Sequence, residues 1–358
     1  MSRPPRLWLV EEFGLGGIAR YAADVADLIH PAVGVRVATT DAGPAPGLAA
    51  PHEVWFPVGS GAPPAKARGA LLGLRRAALR VHRGDAAWFP LGIRPGYEAL
   101  LLRALRARGG KVVATVHNRV PHEAAGASDR VARLAAACDA VVVHTAELRE
   151  WAERRGATVA ADLPFPVPRA AHAGPAGVHD RASLGADDRD LLLVLAGNLR
   201  AYKGVDVLLE AVAGLPADAN VRVVLAGQVG GDDPMARARA LGVADRVHLI
   251  GGYLPDGELV DVLTAADAVA LPYRRIDHSG MAVLAAALGL PAVASDLRSL
   301  REVYADGAVY VPPADPAALT VALAGLPAAL PRLRAALSDR TEVDPADAYR
   351  RLARALLS

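Results

Sequence analysis

The sequence has very few of the residues that build covalent or metal cross-links. Among its 358 residues there is one cysteine, Cys138, which excludes an internal disulfide and any metal site made of several cysteines. No uninterrupted apolar run approaches the roughly 18 residues that would cross a bilayer. Two glutamates soon follow the short apolar run near the start, so this run does not read as a secretion signal. We therefore expect no membrane span and a cytoplasmic location.

The sequence also has few aromatic residues and a small net charge. Aromatic residues make up 4% of the chain, and the formal net charge is +2, with the basic excess in the first half and a slight acidic excess in the second. Such a small and dispersed excess argues against nucleic acid as a partner. A hydrophobic fraction of 53% with 22% charged residues indicates a globular protein, and its length predicts two domains.

Short apolar runs alternate with helical patterns along the chain, which is typical of parallel α/β layers. We expect strands at 6–10, 35–40, 53–58, 86–91, 111–117 and 140–144, and again at 191–196, 221–226, 247–251, 268–271, 291–295 and 309–311. They predict facing Rossmann-like domains at 1–165 and 181–340, a Pro- and Gly-rich linker at 166–180, and a last helix in 341–358 that folds back on the first domain. Ligands bind beyond the carboxyl ends of parallel strands, so we expect substrates in an interdomain cleft.

Two loops of the second half point to an anion site. The segment GNLRAYKG follows a buried strand and places Arg200 and Lys203 where the chain turns into a helix, so two cations are available for a diphosphate. In Ser279–Gly280–Met281, the amides at the start of the next helix would be unpaired donors, and Gly280 has no side chain to obstruct an anion. The alternative is that Ser279 only caps this helix.

Three further positions are candidates of different kinds. Gly251–Gly252–Tyr253 follows a strand and suits a nucleobase through close backbone approach and an aromatic ring. His117 and Asn118 end the strand KVVATVHN and should point into the cleft, although a buried structural histidine is the alternative. The Asp188–Arg189–Asp190 triplet precedes its strand, so it lies at the wrong end of the sheet for a metal-dependent sugar transferase.

A glycine cluster near the start allows a competing interpretation. Gly14–Ala19 fits the pattern G-x-G-x-x-A, and Asp41 follows the second strand, as in dinucleotide-binding dehydrogenases. Glu11, Glu12 and Phe13 separate the strand from these glycines and lengthen a turn that the motif requires to be tight. A dehydrogenase or a nucleotide-sugar epimerase on two Rossmann-like domains therefore stays an alternative.

In combination and in order, several segments resemble the retaining GT-B glycosyltransferases of family GT4, the glycosyltransferase group 1 type. They include GGIARYAADVADLI, TVHN, CDAVVVHTAELREW, AGNLRAYKGVDVLLEAV, RVHLIGGYLPDGELVDVLTAADAVALPY and ALGLPAVASDLRSLREV. The resemblance implies transfer of a sugar from a nucleoside diphosphate, of the UDP or GDP kind, to an acceptor hydroxyl, without cofactor or metal. By position, the resemblance implies a donor diphosphate held by Arg200 and Lys203, a glycine loop at Gly16 and Gly17 facing donor phosphate and acceptor, and His117 near the transferred sugar. With the loops described above, the predicted site has Arg200, Lys203 and His117 for catalysis, Gly16, Gly17, Asn198, Tyr253, Asp277, His278, Ser279, Gly280 and Met281 for the donor, and Gly16 and Asn118 for the acceptor.

The sequence departs from that family at one place. The family often has two glutamates eight residues apart, which contact the donor sugar and the ribose, and the matching positions here are Ile276 and Leu284. We expect Asp277 or His278 to take over sugar recognition. The missing glutamates also leave open a catalytically silent binding subunit.

A basic helix is expected at 65–83. Its leucines, with Ala78, would pack on the sheet, while Arg76, Arg80 and Arg83 share another face at helical spacing. Each exposed arginine near an anionic bilayer contributes about 1 kcal/mol, so a weak peripheral membrane contact is one interpretation. A solvated basic face is the other. The oligomeric state is left open.

Overall fold

The computed structural model describes residues 4–12, 17–30, 32–41, 48–57, 63–119, 128–339 and 345–358. By its contacts the chain divides into two domains. The first comprises Met1–Pro166 together with Val343–Ser358, and the second comprises Val167–Glu342. The expected α/β class with two parallel-sheet, Rossmann-like domains is confirmed.

The first domain is a parallel sheet covered by helices. Its elements are β1 (Leu7–Val10), α1 (Gly17–Ile29), β2 (Val35–Thr40), β3 (His52–Phe56), α2 (Pro63–Arg80), β4 (Ala86–Leu91), α3 (Pro95–Arg106), β5 (Lys111–Val116), α4 (Ser128–Ala137), β6 (Ala140–Val143), α5 (Ala146–Glu153) and β7 (Val159–Asp162). The strand order is β3-β2-β1-β4-β5-β6-β7. The strands are apolar on both faces because helices cover both sides.

The second domain repeats this arrangement. Its elements are β8 (Leu191–Ala196), β9 (Leu199–Arg200), α6 (Val205–Ala213), β10 (Val221–Gly227), β11 (Val229–Gly230), α7 (Pro234–Ala240), β12 (Val247–Gly251), α8 (Asp256–Ala265), β13 (Ala268–Leu271), α9 (Gly280–Ala287), β14 (Ala292–Ser295), α10 (Arg298–Tyr304), β15 (Ala308–Val311) and α11 (Pro316–Ser338). The main sheet has the order β12-β10-β8-β13-β14-β15, and β9 and β11 form a separate short ladder.

The last helix, α12 (Ala346–Leu357), belongs to the first domain. Its Tyr349 is fully buried and stacks on Trp88 of β4, with the ring centroids 6.2 Å apart. The Tyr349 hydroxyl donates to the carbonyl of Pro164, and the Arg350 side chain donates to the carbonyl of Leu28 in α1. The helix thus completes the core on one face of the first sheet.

The Pro- and Gly-rich stretch 166–180 is more ordered than a linker. Ala170 lies in a 3₁₀ turn and is buried in the core of the second domain. The amides of Gly177, Val178 and His179 all donate to the carboxylate of Asp261 in α8. From residue 167 onward the stretch is therefore part of the second domain, because a fixed carboxylate holds its backbone.

One helix of the described ranges, α11, is long and apolar enough to satisfy the length and composition of a membrane span. Its leucines at 319, 323, 326, 330, 333 and 337 recur on one side and lie in the core of the second domain. That packing accounts for the leucines of this helix, whereas Val321 on another side is exposed.

The face that helix α2 turns to the sheet differs from the expected one. Small residues at Gly73 and Ala77 are buried, whereas Leu71 and Leu79 are exposed. A Cβ atom added at Gly73 would lie 1.9 Å from the ring of Phe56, so only a residue without a side chain permits this approach. The expectation that the leucines pack on the sheet was therefore wrong for Leu71, Leu72 and Leu79, whereas Leu74 packs against the core as expected.

Candidate functional site

Both main sheets have the same crossover position. Chain order reverses between β1 and β4 in the first sheet and between β8 and β13 in the second. At such a switch point the two loops at the carboxyl ends of the strands run in opposite directions and leave a crevice for a ligand. The predicted cation loop and the Ser279–Gly280 elbow follow β8 and β13, so the structure puts them at the second crevice.

The loop after β8 contains two glycines, and the second of them, Gly204, lies against the loop after β13. Gly197 and Gly204 have positive φ angles of 97° and 69°. A Cβ atom at Gly204 would lie 2.0 Å from the carbonyl oxygen of Pro272, and the amide of Arg274 donates to the carbonyl of Tyr202. Glycine is required where the backbones approach this closely.

Lys203 is a buried cation at this crevice. It ends the 3₁₀ turn Ala201–Lys203, is 5% exposed, and donates from Nζ to the carbonyl oxygen of Ala196 at 2.5 Å. Its Nζ also lies 5.5 Å from the ring centroid of Tyr273. Burial lowers the pKa of Lys203 to about 8, because no carboxylate of the described residues compensates the desolvated ammonium. Such a group gains most from an anionic ligand.

The elbow after β13 has both of the predicted properties. Ser279 caps α9 through its side chain, which accepts from the amide of Ala282. The amides of Gly280 and Met281 lie in the first turn of the same helix, so they can donate to an anion. Met281 reaches the cation loop, since its methyl group lies 3.9 Å from the Cβ position of Gly197. Capping and anion binding are thus compatible here.

The other predicted donor residues lie at different distances from this pair of loops. Arg200 belongs to the short β9–β11 ladder, opposite Gly230, and Asn198 is exposed just before it. Asp277 and His278 are half-buried in the elbow, whose backbone is fixed by a hydrogen bond from Ser299 to the carbonyl of Ile276. Tyr253 is 57% exposed after β12, the edge strand. Among the predicted donor residues, Lys203 and Met281 of the elbow are therefore the ones that the structure brings together at one point.

In the first domain, the predicted residues belong to the segments that precede α1 and follow β5. Gly14 and Gly16 of the glycine cluster lie outside the described residues, and Gly17 begins α1. Asn118 is half-buried just after β5. Its carbonyl oxygen lies 2.2 Å from the Cβ position of Gly92, which has a φ angle of 94°. The loops after β4 and β5 therefore touch through a second glycine contact.

His117 is 1% exposed and packs edge-on against the ring of Tyr21, with the centroids 4.7 Å apart. Its amide donates to the carbonyl of Leu91, so it extends the β4–β5 ladder by one residue. The histidine is fixed by its neighbours, as the structural alternative expects, and it still lies at the carboxyl end of its strand. A catalytic role for His117 stays a prediction.

A buried chain of hydrogen bonds holds Tyr21 beneath this histidine. Nδ1 of His144 lies 2.9 Å from the carbonyl oxygen of Leu163 and must carry a proton, and Nε2 lies 3.0 Å from the Tyr21 hydroxyl, from which it accepts when the ring is neutral. The Tyr21 oxygen then accepts from Thr115, which in turn accepts from the indole of Trp88. Burial raises the pKa of Tyr21, so it stays a donor.

A carboxylate and a guanidinium meet at the switch point of the first sheet. Glu12 follows β1 and pairs with Arg94, which follows β4, with 2.6 Å between Nη2 and Oε1. The amides of Gly92, Ile93 and Arg94 all donate to the carboxylate of Glu98, which fixes the loop that carries Arg94. The sequence analysis missed this pair. Two glutamates directly after a strand were the available signal, but their partner lies far away in the sequence.

Metal ligands are not gathered anywhere in the described ranges. No group of three or more His, Cys, Asp or Glu side chains there has the geometry to hold a metal ion. Cys138 is buried in the core of the first domain.

Comparisons with known proteins bear on both halves of the chain. Residues 179–329 match the model of the family glycosyl transferases group 1. The D-inositol 3-phosphate glycosyltransferase of Segniliparus rotundus is 35% identical over 163 residues, which cover 43% of this chain and 36% of that protein. The chain thus spans about a third of the length of the curated relative it matches.

Solved structures are similar over nearly the whole chain. HepE of Anabaena in complex with UDP and glucose has a TM-score of 0.73 at 14% identity, covering 99% of each chain. A UDP-N-acetylglucosamine 2-epimerase has a TM-score of 0.66 at 11% identity, covering 99% of this chain and 96% of the other. At such low identity these likenesses show the fold, which is of the GT-B type expected from the sequence.

Proposed function

From the match of residues 179–329 to the glycosyl transferases group 1, we propose that the protein is a glycosyltransferase. It moves a sugar from a nucleoside diphosphate to an acceptor hydroxyl, with retention of anomeric configuration and without a metal. The second domain binds the donor, and the first binds the acceptor. The activity of the whole protein is part of the proposal, because the family match is confined to the second domain.

The observation that carries the proposal is the buried ammonium of Lys203 beside the first turn of α9. Sugar transfer requires stabilisation of a departing diphosphate, whose negative charge increases as the glycosidic bond breaks. Lys203 is 5% exposed, so its charge acts at low screening. The amides of Gly280 and Met281 add the positive end of a helix dipole. Arg200 supplies a second cation from the adjoining ladder.

A front-face reaction fits these groups. The leaving phosphate oxygen takes the proton of the acceptor hydroxyl as the new glycosidic bond forms on the face from which the diphosphate departs. This mechanism needs no enzyme nucleophile, and it preserves the configuration at the anomeric carbon. His117 then contacts the transferred sugar, Asp277 or His278 recognises its hydroxyl groups, and Tyr253 lies against the nucleobase.

The donor is proposed to be a UDP- or GDP-sugar and the acceptor a small molecule or a glycan intermediate. HepE was crystallised with UDP and glucose, which supports the uridine donor by analogy of fold. The inositol phosphate named for the Segniliparus rotundus protein is a candidate acceptor. A cytoplasmic enzyme with weak peripheral membrane contact completes the proposal.

The test is hydrolysis of UDP-, GDP-, ADP- and dTDP-sugars by the full-length protein in EDTA, with the Lys203→Ala variant beside it. Release of the nucleoside diphosphate by wild type and its loss in the variant would support a metal-independent transferase. Activity that appears only after Mg²⁺ is added would refute metal independence. NMR of the released sugar reports retention or inversion of the anomeric configuration.

The alternatives give different results in the same samples. A nucleotide-sugar epimerase, which the fold of the epimerase above makes the second candidate, would interconvert two sugar nucleotides without releasing diphosphate. A dehydrogenase would be stabilised against heat by NAD(P) and by no nucleoside diphosphate. A silent binding subunit would bind a donor without turning it over.

A further inference from the structure

Glu12 has one carboxylate oxygen that is buried and unpaired. Its side chain is 7% exposed, and Oε1 accepts from Arg94. Oε2 is inaccessible to solvent and has no hydrogen-bond partner among the described residues. A buried carboxylate oxygen without a donor costs free energy, so its retention calls for a ligand that supplies the donor.

The position of this oxygen is that of a ligand site. Glu12 follows β1 and Arg94 follows β4, on either side of the switch point of the first sheet. The Glu98 carboxylate fixes the backbone of Arg94 through its three amide contacts, while the Arg94 side chain stays half-exposed. The backbone that carries Arg94 is thus fixed, while its guanidinium group is partly accessible to a ligand.

The charges around Glu12 and Arg94 favour an uncharged ligand over an anionic one. The side chains of Glu11, Glu12 and Glu98 provide three carboxylates, and Arg94 is the cation that pairs with one of them. Burial is the main cause that raises the pKa of Glu12 to about 7, and the charges of Glu98 and Glu11 raise it further against the opposing effect of Arg94. A phosphate or carboxylate would add repulsion here, whereas a neutral hydroxyl would supply the missing donor.

We propose that Glu12 and Arg94 form an acceptor subsite for an uncharged polyol or sugar. The half-exposed Arg94 side chain moves to admit the ligand, one hydroxyl of which then donates to Oε2 of the ionised Glu12, while a neighbouring oxygen of the ligand accepts from Arg94. This subsite rests on the proposed transferase function, and it predicts that the acceptor is uncharged where it meets the first domain. A phosphorylated acceptor would have to bind with its phosphate away from Glu12 and Arg94.

The test is binding to the full-length protein with UDP present, followed by saturation-transfer NMR and calorimetry. The probes are glucose, mannose, N-acetylglucosamine and myo-inositol, each compared with its phosphorylated form. At least one neutral probe should bind more tightly than its phosphate. Glu12→Gln should weaken that binding roughly 10- to 100-fold, because a hydrogen bond to a charged group is lost. Glu53→Gln, which removes a carboxylate paired with Arg36 in the same domain, is the matched control.

Several results would overturn the subsite. They are binding of no neutral probe, tighter binding of the phosphates, or equal binding by wild type and Glu12→Gln. Arg94→Gln provides a second variant, with the same expected loss, if Glu12→Gln does not fold. Donor hydrolysis that depends on Lys203 is measured separately. Its absence would refute the transferase, whereas its presence with unchanged polyol binding would refute only the subsite.

Discussion

The two domains use the same kind of glycine contact at the carboxyl edges of their sheets, and their switch points differ in charge. Gly204 touches the carbonyl of Pro272 across the switch point of the second sheet, whereas Gly92 touches the carbonyl of Asn118 beside the switch point of the first, between the loops after β4 and β5. The second crevice contains buried Lys203 without a carboxylate partner among the described residues. The first contains three carboxylates, those of Glu11, Glu12 and Glu98, and Arg94 pairs with Glu12. The repeated fold therefore creates the same kind of crevice twice, and the side chains give the two crevices opposite charge.

The largest expected effect comes from removing the cation of the second crevice. Lys203→Met should lower kcat by a factor on the order of 10²–10³, because the departing diphosphate loses its buried counter-charge. The unfolding midpoint should stay the same or rise, since a desolvated ammonium is replaced by an apolar chain of similar length. Steady-state kinetics and thermal unfolding measure the two effects.

Arg189→Ala is the control for that variant, because Arg189 forms an exposed ion pair with Asp187 and should change neither quantity measurably. Wild-type turnover in Lys203→Met would place the diphosphate elsewhere and remove the contrast between the two crevices.

The shared glycine contacts are tested by adding one methyl group to each. Gly204→Ala and Gly92→Ala should each destabilise the protein by roughly 1–3 kcal/mol beyond the cost of the positive φ angle, because the new Cβ would overlap a carbonyl oxygen. Chemical denaturation gives the free energy of unfolding.

Gly84→Ala isolates the cost of the φ angle alone. Gly84 has a φ of 90° with no atom within 4 Å of its Cβ position, so its variant should lose only about 1 kcal/mol. Equal losses at all three positions would show that the close approach of the loops is unimportant.

The pH dependence of UDP affinity tests whether the charge of the second crevice comes from Lys203. Lys203 has a pKa lowered to about 8, so it is protonated below that pH and must take up a proton to bind a diphosphate above it. Affinity should fall by about tenfold per pH unit above the pKa. Lys203→Arg should remove this slope, because a guanidinium stays charged. Calorimetry at several pH values, in buffers of different ionisation enthalpy, would also count the proton. The same slope in both proteins would contradict the assignment.

The smallest effect is expected at the outer surface of the first domain. Leu71 and Leu79 are exposed on α2, and Arg75 is exposed beside them, whereas Arg76 donates to the carbonyls of residues 54 and 55. Weak flotation with anionic vesicles should drop by a few-fold in Arg75→Gln, since one charge contributes about 1 kcal/mol. Arg189→Gln in the second domain should have no effect. Equal flotation with neutral vesicles would exclude the electrostatic contact.

Prediction from sequence succeeded where a local pattern carries the information. The buried strands are short apolar runs, so most of their bounds were predicted within one or two residues. The strand β7 was missed because its sequence, VAAD, lies at a sheet edge, is short and contains two alanines, which do not favour strands. Lys203 was found because two glycines and a buried strand surround it in sequence.

The remaining features depend on contacts between distant segments. Glu12 and Arg94 are 82 positions apart, and only the β1–β4 pairing brings them together. The packing face of α2 depends on the ring of Phe56, which hydrophobicity along the helix does not reveal. The hydrogen-bond order around Tyr21 likewise joins residues of several elements. Such features require the strand order to be known first.

The return of α12 to the first domain affects the order in which the protein matures. Tyr349, Ala353 and Leu356 belong to the core of the domain that begins with β1. A ribosome must therefore translate the whole second domain before the first can bury its last apolar face. Until then, the surface around Trp88 stays available to chaperones or to other nascent chains. A stop codon just before α12 would damage the domain made first and spare the one made last.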